Sequence, residues 1–305
     1  MYAIGMCVDE AYLVPALVAL TSVAESSPSS DIARVPIRVL TSDLPAARAR
    51  SMGDVVRRLG FASLDVRWER LGAHCTIMAG DYISATTYLR FNFLDEFVKR
   101  PFLAYLDADL LVVGDVSAPF GCLGSERVGL VRDAFNHTIG RGPALPGVGA
   151  RLPLLKGLPY FNAGAIWCPT GIMASIRSEV DRIMRKERQH IHFNDQDALN
   201  LWAARAGMVV PIDLSYNTFE LDRFREIGDW IYRLTYPPAR GVTPAIVHFV
   251  GPDKPWHDSC PATEAVGLYR KYLRATMRQI RRVRDQNMSL HPANLVTLPT
   301  PKRIT

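Results

Sequence analysis

Two hydrophobic rhythms alternate along the first 250 residues. Compact apolar runs of strand length occupy residues 3–8, 37–41, 64–68, Phe102–Leu106, Val128–Arg132, 161–167, Val209–Ile212 and 246–249. Between them, apolar residues return every three or four positions, which predicts helices over 11–24, 46–59, 85–97, 172–188 and 195–206. Pro15 is tolerated because it falls in the first turn of its helix. Strands alternating with helices predict an α/β domain. Residues 140–159 are rich in Gly and Pro and break both rhythms. This stretch reads as a loop, either a wall or lid of a binding site or a solvated surface insertion.

The rhythm changes near Ala265. Val266, Tyr269, Leu273 and Ile280 share one helical face, with Tyr272 and Val283 beside them. Arg270, Lys271, Arg274, Arg278, Arg281, Arg282 and Arg284 share the other. A basic amphipathic helix over 265–285 follows, with an irregular stretch over 289–305. The chain thus divides into a main domain, 1–260, and a basic helical tail, 261–305. Such a helix either lies on an anionic membrane surface or packs its apolar face on the domain and leaves the basic face in water.

Charge sharpens this division. The chain carries a net +6. Residues 265–305 hold nine Lys or Arg and one acid, a net of +8, which leaves −2 for the remainder. A body without excess positive charge argues against a nucleic-acid partner. The five cysteines are scattered and none forms a Cys-x-x-Cys pair, which predicts reduced thiols. The first residues read as a buried strand and not as a leader, and no apolar run approaches the ~20 residues of a membrane span. The expected location is the cytoplasm, with peripheral attachment to the membrane through the tail.

Candidate chemistry is concentrated in two segments. Tyr105-Leu-Asp-Ala-Asp-Leu-Leu-Val-Val113 puts Asp107 and Asp109 at the end of an apolar strand. Residues two apart in an extended chain face the same side, so both carboxylates are expected to converge on one point. Their repulsion is relieved by a divalent cation. The second segment, His248-Phe-Val-Gly-Pro-Asp-Lys-Pro-Trp256, offers His248 as a third metal ligand. An imidazole favours manganese over magnesium. Lys254 would meet a phosphate, Gly251 would let the backbone approach it, and Trp256 would brace the loop. A metal, an ammonium and a glycine turn together suit a diphosphate and point to an enzyme acting on a nucleotide-sugar.

With these residues identified, the chain resembles the retaining glycosyltransferases of family 8, the group of glycogenin and the bacterial lipooligosaccharide galactosyl- and glucosyltransferases. The resemblance rests on six segments in the family's order. They are Asp9-Glu-Ala-Tyr12, Ile83-Ser-Ala-Thr-Thr-Tyr-Leu-Arg90, Leu106-Asp-Ala-Asp109, Phe161-Asn-Ala-Gly-Ala165, Asn194-Asp-Gln-Asp-Ala-Leu-Asn200 and His248 to Trp256. It implies a GT-A fold, a Rossmann-like mixed sheet flanked by helices, and a Mn2+-dependent transfer of hexose from a UDP-sugar with retention. Asp9 and Tyr12 match positions that hold the uridine, Arg90 one that contacts donor sugar or phosphates, and Ala108 one beside the ribose. Asn162, Ala163 and Gly164 match a strand end lining the donor sugar. Asp195 and Gln196 match the segment beside the reacting carbon; read alone, they equally suit a helix N-cap. Asp133, after its strand, is a further candidate for contact with sugar or acceptor. Tyr160 and Tyr216 lack the context of a self-glucosylated tyrosine. The implied acceptor is a saccharide or glycolipid of the bacterial surface. A small soluble acceptor, or a non-catalytic UDP-sugar-binding protein of the same fold, are the alternatives.

Overall fold

The computed structural model describes residues 1–72, 84–140, 144–145, 148, 152–227 and 236–290. The predicted residues 83 and 291–305, and part of the 140–159 stretch, lie outside these. Seven strands form the main sheet in the order β3-β2-β1-β4-β7-β6-β8. They are β1 (Tyr2–Cys7), β2 (Pro36–Thr41), β3 (Ser63–Trp68), β4 (Phe102–Leu106), β6 (Val128–Arg132), β7 (Phe161–Pro169) and β8 (Val209–Ile212). The first four run parallel, β7 runs antiparallel to both β4 and β6, and β8 is parallel to β6. β2 and β7 are buried at every position, as strands covered on both faces must be.

One face of the sheet carries α1 (Leu13–Ser26) and α3 (Ala46–Arg58), with the single turn α2 (Ser29–Ile32) between them. Their apolar residues pack on Ile4, Met6, Ala104 and Leu106. The opposite face carries the turn α4 (Asp95–Val98), α5 (Met173–Lys186) and α6 (Asn194–Ala206), packed on Ala3, Leu103 and Tyr105. Alternate residues of the same strands thus feed two cores. The predicted helix over 85–97 is instead a 3₁₀ helix, Ala85–Asn92, followed by α4. Ser84 accepts from Thr86 N–H, and Thr87 Oγ1 donates to Ser84 carbonyl, local bonds that compete with regular α-helix.

The amphipathic pattern did not reveal a small second sheet, β5-β10-β9. Its strand β10 (Ile246–His248) falls on the predicted run 246–249, whereas β5 (Leu110–Val112) and β9 (Thr218–Phe219) are too short to show a period. β1 is flanked by β2 on one side and β4 on the other, so chain order reverses there. The carboxyl ends of β1 and β4 therefore open a crevice, the usual ligand position of an open α/β sheet. The 140–159 stretch is anchored by Ala144, Leu145 and Val148, all fully buried in the core beside α5 and α6.

The C-terminal helix, α7 (Glu264–Leu290), extends five residues beyond its predicted end. Val266, Tyr269, Thr276, Ile280 and Val283 are buried, with Ile280 and Val283 in the core shared with α1 and α3. Thr276 Oγ1 lies 2.9 Å from Thr21 Oγ1 of α1. Of the two arrangements open to it, the described helix packs its apolar face on the domain. Lys271, Arg274, Arg278, Arg281, Arg282 and Arg284 are exposed. Arg270, assigned by periodicity to that basic face, instead donates to the Pro255 and His257 carbonyls. Burial of Ile280 predicts that Ile280→Ala lowers stability by about 2–4 kcal/mol in urea denaturation, the range for a truncated core residue.

Candidate active site

The acid pair sits where the chain leaves one sheet for the other. β4 ends at Leu106, and β5 begins at Leu110 in the second sheet. A turn at Ala108 and Asp109 makes the change. The sequence placed both carboxylates on one side of an extended strand; convergence comes instead from this turn, pinned at both ends. Asp107 N–H donates to the Gly164 carbonyl of β7 at 2.8 Å, and Phe249 N–H donates to the Asp109 carbonyl at 3.1 Å. β10 pairs antiparallel with β5 and sets His248 opposite Leu110. Ligand atoms of Asp107, Asp109 and His248 then lie within 4.8 Å of one another.

Positive charge surrounds the pair. Lys254 Nζ is 2.6 Å from Asp109 Oδ2 and also donates to the Phe249 carbonyl. Burial pushes the Asp109 carboxyl up, but the Lys254 ammonium and the His248 ring outweigh it and hold it well below the usual carboxylate range. His248 Nε2 is 3.4 Å from Asp109 Oδ1. With the ring neutral and Nε2 unprotonated, a cation between the two atoms would satisfy both lone pairs. The donor set, two carboxylates and one imidazole in a pocket with an adjoining ammonium, fits a divalent metal bound together with a phosphate.

The loop carrying Lys254 is held from behind. Gly251 has φ +88°, a left-handed conformation that glycine adopts at no steric cost. Arg223 is buried and donates to the Val250 and Asp253 carbonyls on either side of that turn. Trp256 packs edge-on against Tyr12, ring centroids 5.6 Å apart, and against Tyr269 of α7. Asp9 Oδ1 accepts from Tyr12 N–H at 2.8 Å. The two residues matched to uridine binding thus share one turn after β1, braced by the Lys254 loop.

Arg90 is not a surface charge: it is 4% exposed and lies under the acid pair. Its Nε is 2.7 Å from Asp195 Oδ2, its Nη2 3.6 Å from Asp107 Oδ1, and its Nη1 donates to the Ala163 carbonyl at 2.5 Å. Burial raises the Asp195 carboxyl, and Arg90 opposes that rise. Gln196 Oε1 accepts from Ala163 N–H at 3.0 Å and Asn162 Nδ2 at 2.9 Å, while its Nε2 lies 3.2 Å from Asp133 Oδ2. Neither Asp195 nor Gln196 caps α6. Nor does any other side chain at its N-cap position; Asp197, inside the first turn, accepts from His192 and Phe193 N–H before the helix and from the Tyr160 hydroxyl, the last at 2.6 Å. Tyr160 is fully buried, in keeping with a structural and not an acceptor role.

These groups border one cavity of roughly 500 Å3. Asp9, Tyr12, Arg90, Ala108, Asn162, Ala163, Asp195, Gln196, Gly251 and Lys254 line it with the three metal-ligand candidates, as does Asp133. Gly164 does not. It faces the His248 ring, where a Cβ would fall 2.4 Å from Cε1. Phe135, Phe193, Phe219 and Phe224 add aromatic wall that the sequence did not single out. Asn217, 3% exposed beneath His248, was also missed, since a lone Asn before a two-residue strand carries no motif.

Comparison with known proteins supplies the remaining context. The chain is 24% identical over 260 residues to glycosyltransferase GlyF of Streptococcus pneumoniae serotype 4, covering 84% of this chain and 57% of that protein. It is 30% identical over 182 residues to the lipopolysaccharide glucosyltransferase WaaO of Escherichia coli, 56% of this chain and 49% of that one. The chain spans about half the length of these curated relatives. Among solved structures, the galactosyltransferase LgtC, in complex with donor and acceptor sugar analogues, superposes with TM-score 0.70 at 21% identity, over 90% of this chain and 95% of that one. GlyE of Streptococcus pneumoniae superposes with TM-score 0.62 at 20% identity, over 95% and 64%. The architecture is the GT-A fold. The sequence model of glycosyl transferase family 8 matches residues 3–260, and the chain belongs to that family of glycosyltransferases.

Proposed function

We propose that the chain transfers a hexose, glucose or galactose, from a UDP-sugar to a hydroxyl of a saccharide or glycolipid with retention of configuration. Mn2+ is the favoured metal, with Mg2+ able to serve. The observation that carries this reading is the convergence of Asp107, Asp109, His248 and Lys254 at the crevice where β1 and β4 end. Asp107, Asp109 and His248 would hold the metal, which supplies Lewis-acid neutralisation of a departing diphosphate. Lys254 would turn from Asp109 to a phosphate oxygen, and Asp9 and Tyr12 would receive the uridine. Of the cavity-lining residues, Ala108 would lie beside the ribose, Gly251 beside the phosphates, and Asn162 and Ala163 along the sugar, while Gly164 makes room for His248. The relation to a lipopolysaccharide glucosyltransferase supports an acceptor of the bacterial surface.

The hydrogen bonds around the sugar position favour front-face attack. A nucleophilic Gln196 would need an available oxygen, and Oε1 already accepts two bonds. Asp195 is paired with Arg90, which lowers its nucleophilicity. In a front-face reaction neither is consumed. The acceptor oxygen bonds to C1 as the C1–O bond to phosphate breaks, and the acceptor proton passes to the departing phosphate oxygen. Asp195 and Gln196 then hold sugar hydroxyls beside the reacting carbon.

No described helix is long and apolar enough to cross a membrane. The exposed arginines of α7 would instead give a peripheral, electrostatic contact with anionic lipid, worth about 1 kcal/mol for each residue near the surface. We place the catalytic unit in residues 1–260, with 261–305 as the attaching segment.

Four outcomes test this reading. With a panel of UDP-sugars and Mn2+ but no acceptor, slow UDP release is expected from one donor, lost with chelator or in Asp109→Asn. Intact protein mass should stay unshifted; a hexose on Asp195 or Gln196 would overturn the front-face route. Gly164→Ala is expected to displace His248, weakening Mn2+ binding at least tenfold while costing about 1–3 kcal/mol of stability, as for an overpacked site. Replacing Arg274, Arg278, Arg281 and Arg282 together with Gln should leave UDP release intact and reduce sedimentation with anionic vesicles; unchanged sedimentation would refute the electrostatic contact.

A further inference from the structure

A chain of side-chain amides runs from His248 to Gln196, and its polarity is dictated by backbone groups that cannot flip. Ala163 N–H donates to Gln196 Oε1 at 3.0 Å, which fixes the Gln196 amide. Its Nε2 is thereby turned to Asp133 Oδ2 and the Tyr160 hydroxyl. Gly164 N–H donates to Asn162 Oδ1 at 2.9 Å, which fixes the second amide. Asn162 Nδ2 then faces Gln196 Oε1 and Asp133 Oδ2, both acceptors.

With Asn162 Oδ1 an acceptor, the Asn217 atom 2.8 Å away must be its Nδ2 donor. The other end of Asn217 is therefore its carbonyl oxygen, and it lies 2.8 Å from His248 Nδ1. An acceptor there requires the proton of a neutral imidazole to sit on Nδ1. Nε2 is left with its lone pair toward the acid pair, the atom a metal needs. Asn217 cannot turn over without setting its carbonyl oxygen against Asn162 Oδ1, which Gly164 N–H already holds as an acceptor. Phe219 packs edge-on against the His248 ring, with centroids 5.6 Å apart.

We propose that Asn217 is a positioning residue of this enzyme, which selects the metal-binding tautomer of His248 and ties it to the sugar-side amides Asn162 and Gln196. This inference rests on the metal site proposed above. It acts through two separable arms. Oδ1 serves His248 and hence the metal, and Nδ2 serves Asn162 and hence Gln196. A buried bond to an otherwise free ring nitrogen orients a metal-ligating histidine, and its loss typically costs 10–100-fold in metal affinity.

The full chain tests the arms separately. Long-range 15N–1H correlation on 15N-histidine-labelled native protein without metal, with His248 assigned by its loss in His248→Gln, is expected to show the proton on Nδ1. A proton on Nε2 overturns the proposal. Asn217→Leu should weaken Mn2+ binding 10–100-fold by isothermal titration with UDP present, with its thermal midpoint recorded in parallel. Asn217→Asp keeps the acceptor toward His248 but sets a carboxylate oxygen against Asn162 Oδ1. It should hold Mn2+ within about threefold of native and raise the KM for the donor sugar. Equal loss of Mn2+ affinity in both variants, or none in Asn217→Leu, overturns the two-arm assignment. If the native chain binds no Mn2+ while the proton is on Nδ1, the metal reading fails and the tautomer assignment stands.

Discussion

Two carboxylates held in a buried turn set the terms for everything around them. At about 4 Å two like charges repel by roughly 4 kcal/mol even at an effective dielectric of 20. A fold that keeps Asp107 and Asp109 together must bring in compensation from elsewhere in the chain. It does so from two directions. Arg90 comes from below, on the 3₁₀ helix that leads to β4, and reaches Asp107 and Asp195. Lys254 comes from above, after β10, and reaches Asp109 beside the His248 ring. The small sheet exists to make the second approach possible, since β10 is held in register by β5, the strand that starts directly after the acids.

Support for the upper approach extends to the C-terminal helix. Arg270 holds the Pro255 and His257 carbonyls, and Tyr269 packs on Phe249 and Trp256. The first turns of α7 therefore brace the Lys254 loop, while its later turns lie on α1 and α3. A helix whose sequence advertises a surface attachment is at one end part of the scaffold of the site. Its buried face belongs to that scaffold, while most of its arginines stay exposed.

Much of this was legible in the sequence because the main sheet is built from runs long enough to show a period. Asp107, Asp109, His248 and Lys254 were found because their spacing follows a short strand and a glycine turn. β5 and β9 were invisible, at three and two residues. The 3₁₀ course of Ala85–Asn92 was hidden because its apolar spacing resembles that of an α-helix. Gly164 was read as room for a sugar, whereas the room is taken by an imidazole that arrives 84 positions later in the chain. Asn217 and Asp197 were missed for a common reason: each acts through a side-chain bond to a distant or non-helical partner, and no local pattern records it.

The polar interior also explains why the site is better suited to steering charge than to supplying a nucleophile. Gln196, Asn162 and Asn217 each spend donors and acceptors on one another or on backbone. Buried amides satisfied in this way are rigid, because breaking one bond exposes groups that have no water to turn to. Such a network would hold the proposed donor sugar and metal ligand in fixed relation, and it presents no unengaged lone pair on Gln196 for covalent attack. Asp195, the carboxylate proposed to lie beside the sugar, is tied to the same arginine that steadies Asp107. Metal side and sugar side are thus joined twice, through Arg90 by charge and through Asn217 by hydrogen bonds. Displacement of either carboxylate would disturb the other, and that linkage favours a reaction in which the protein stays still while the bonds change in the substrate.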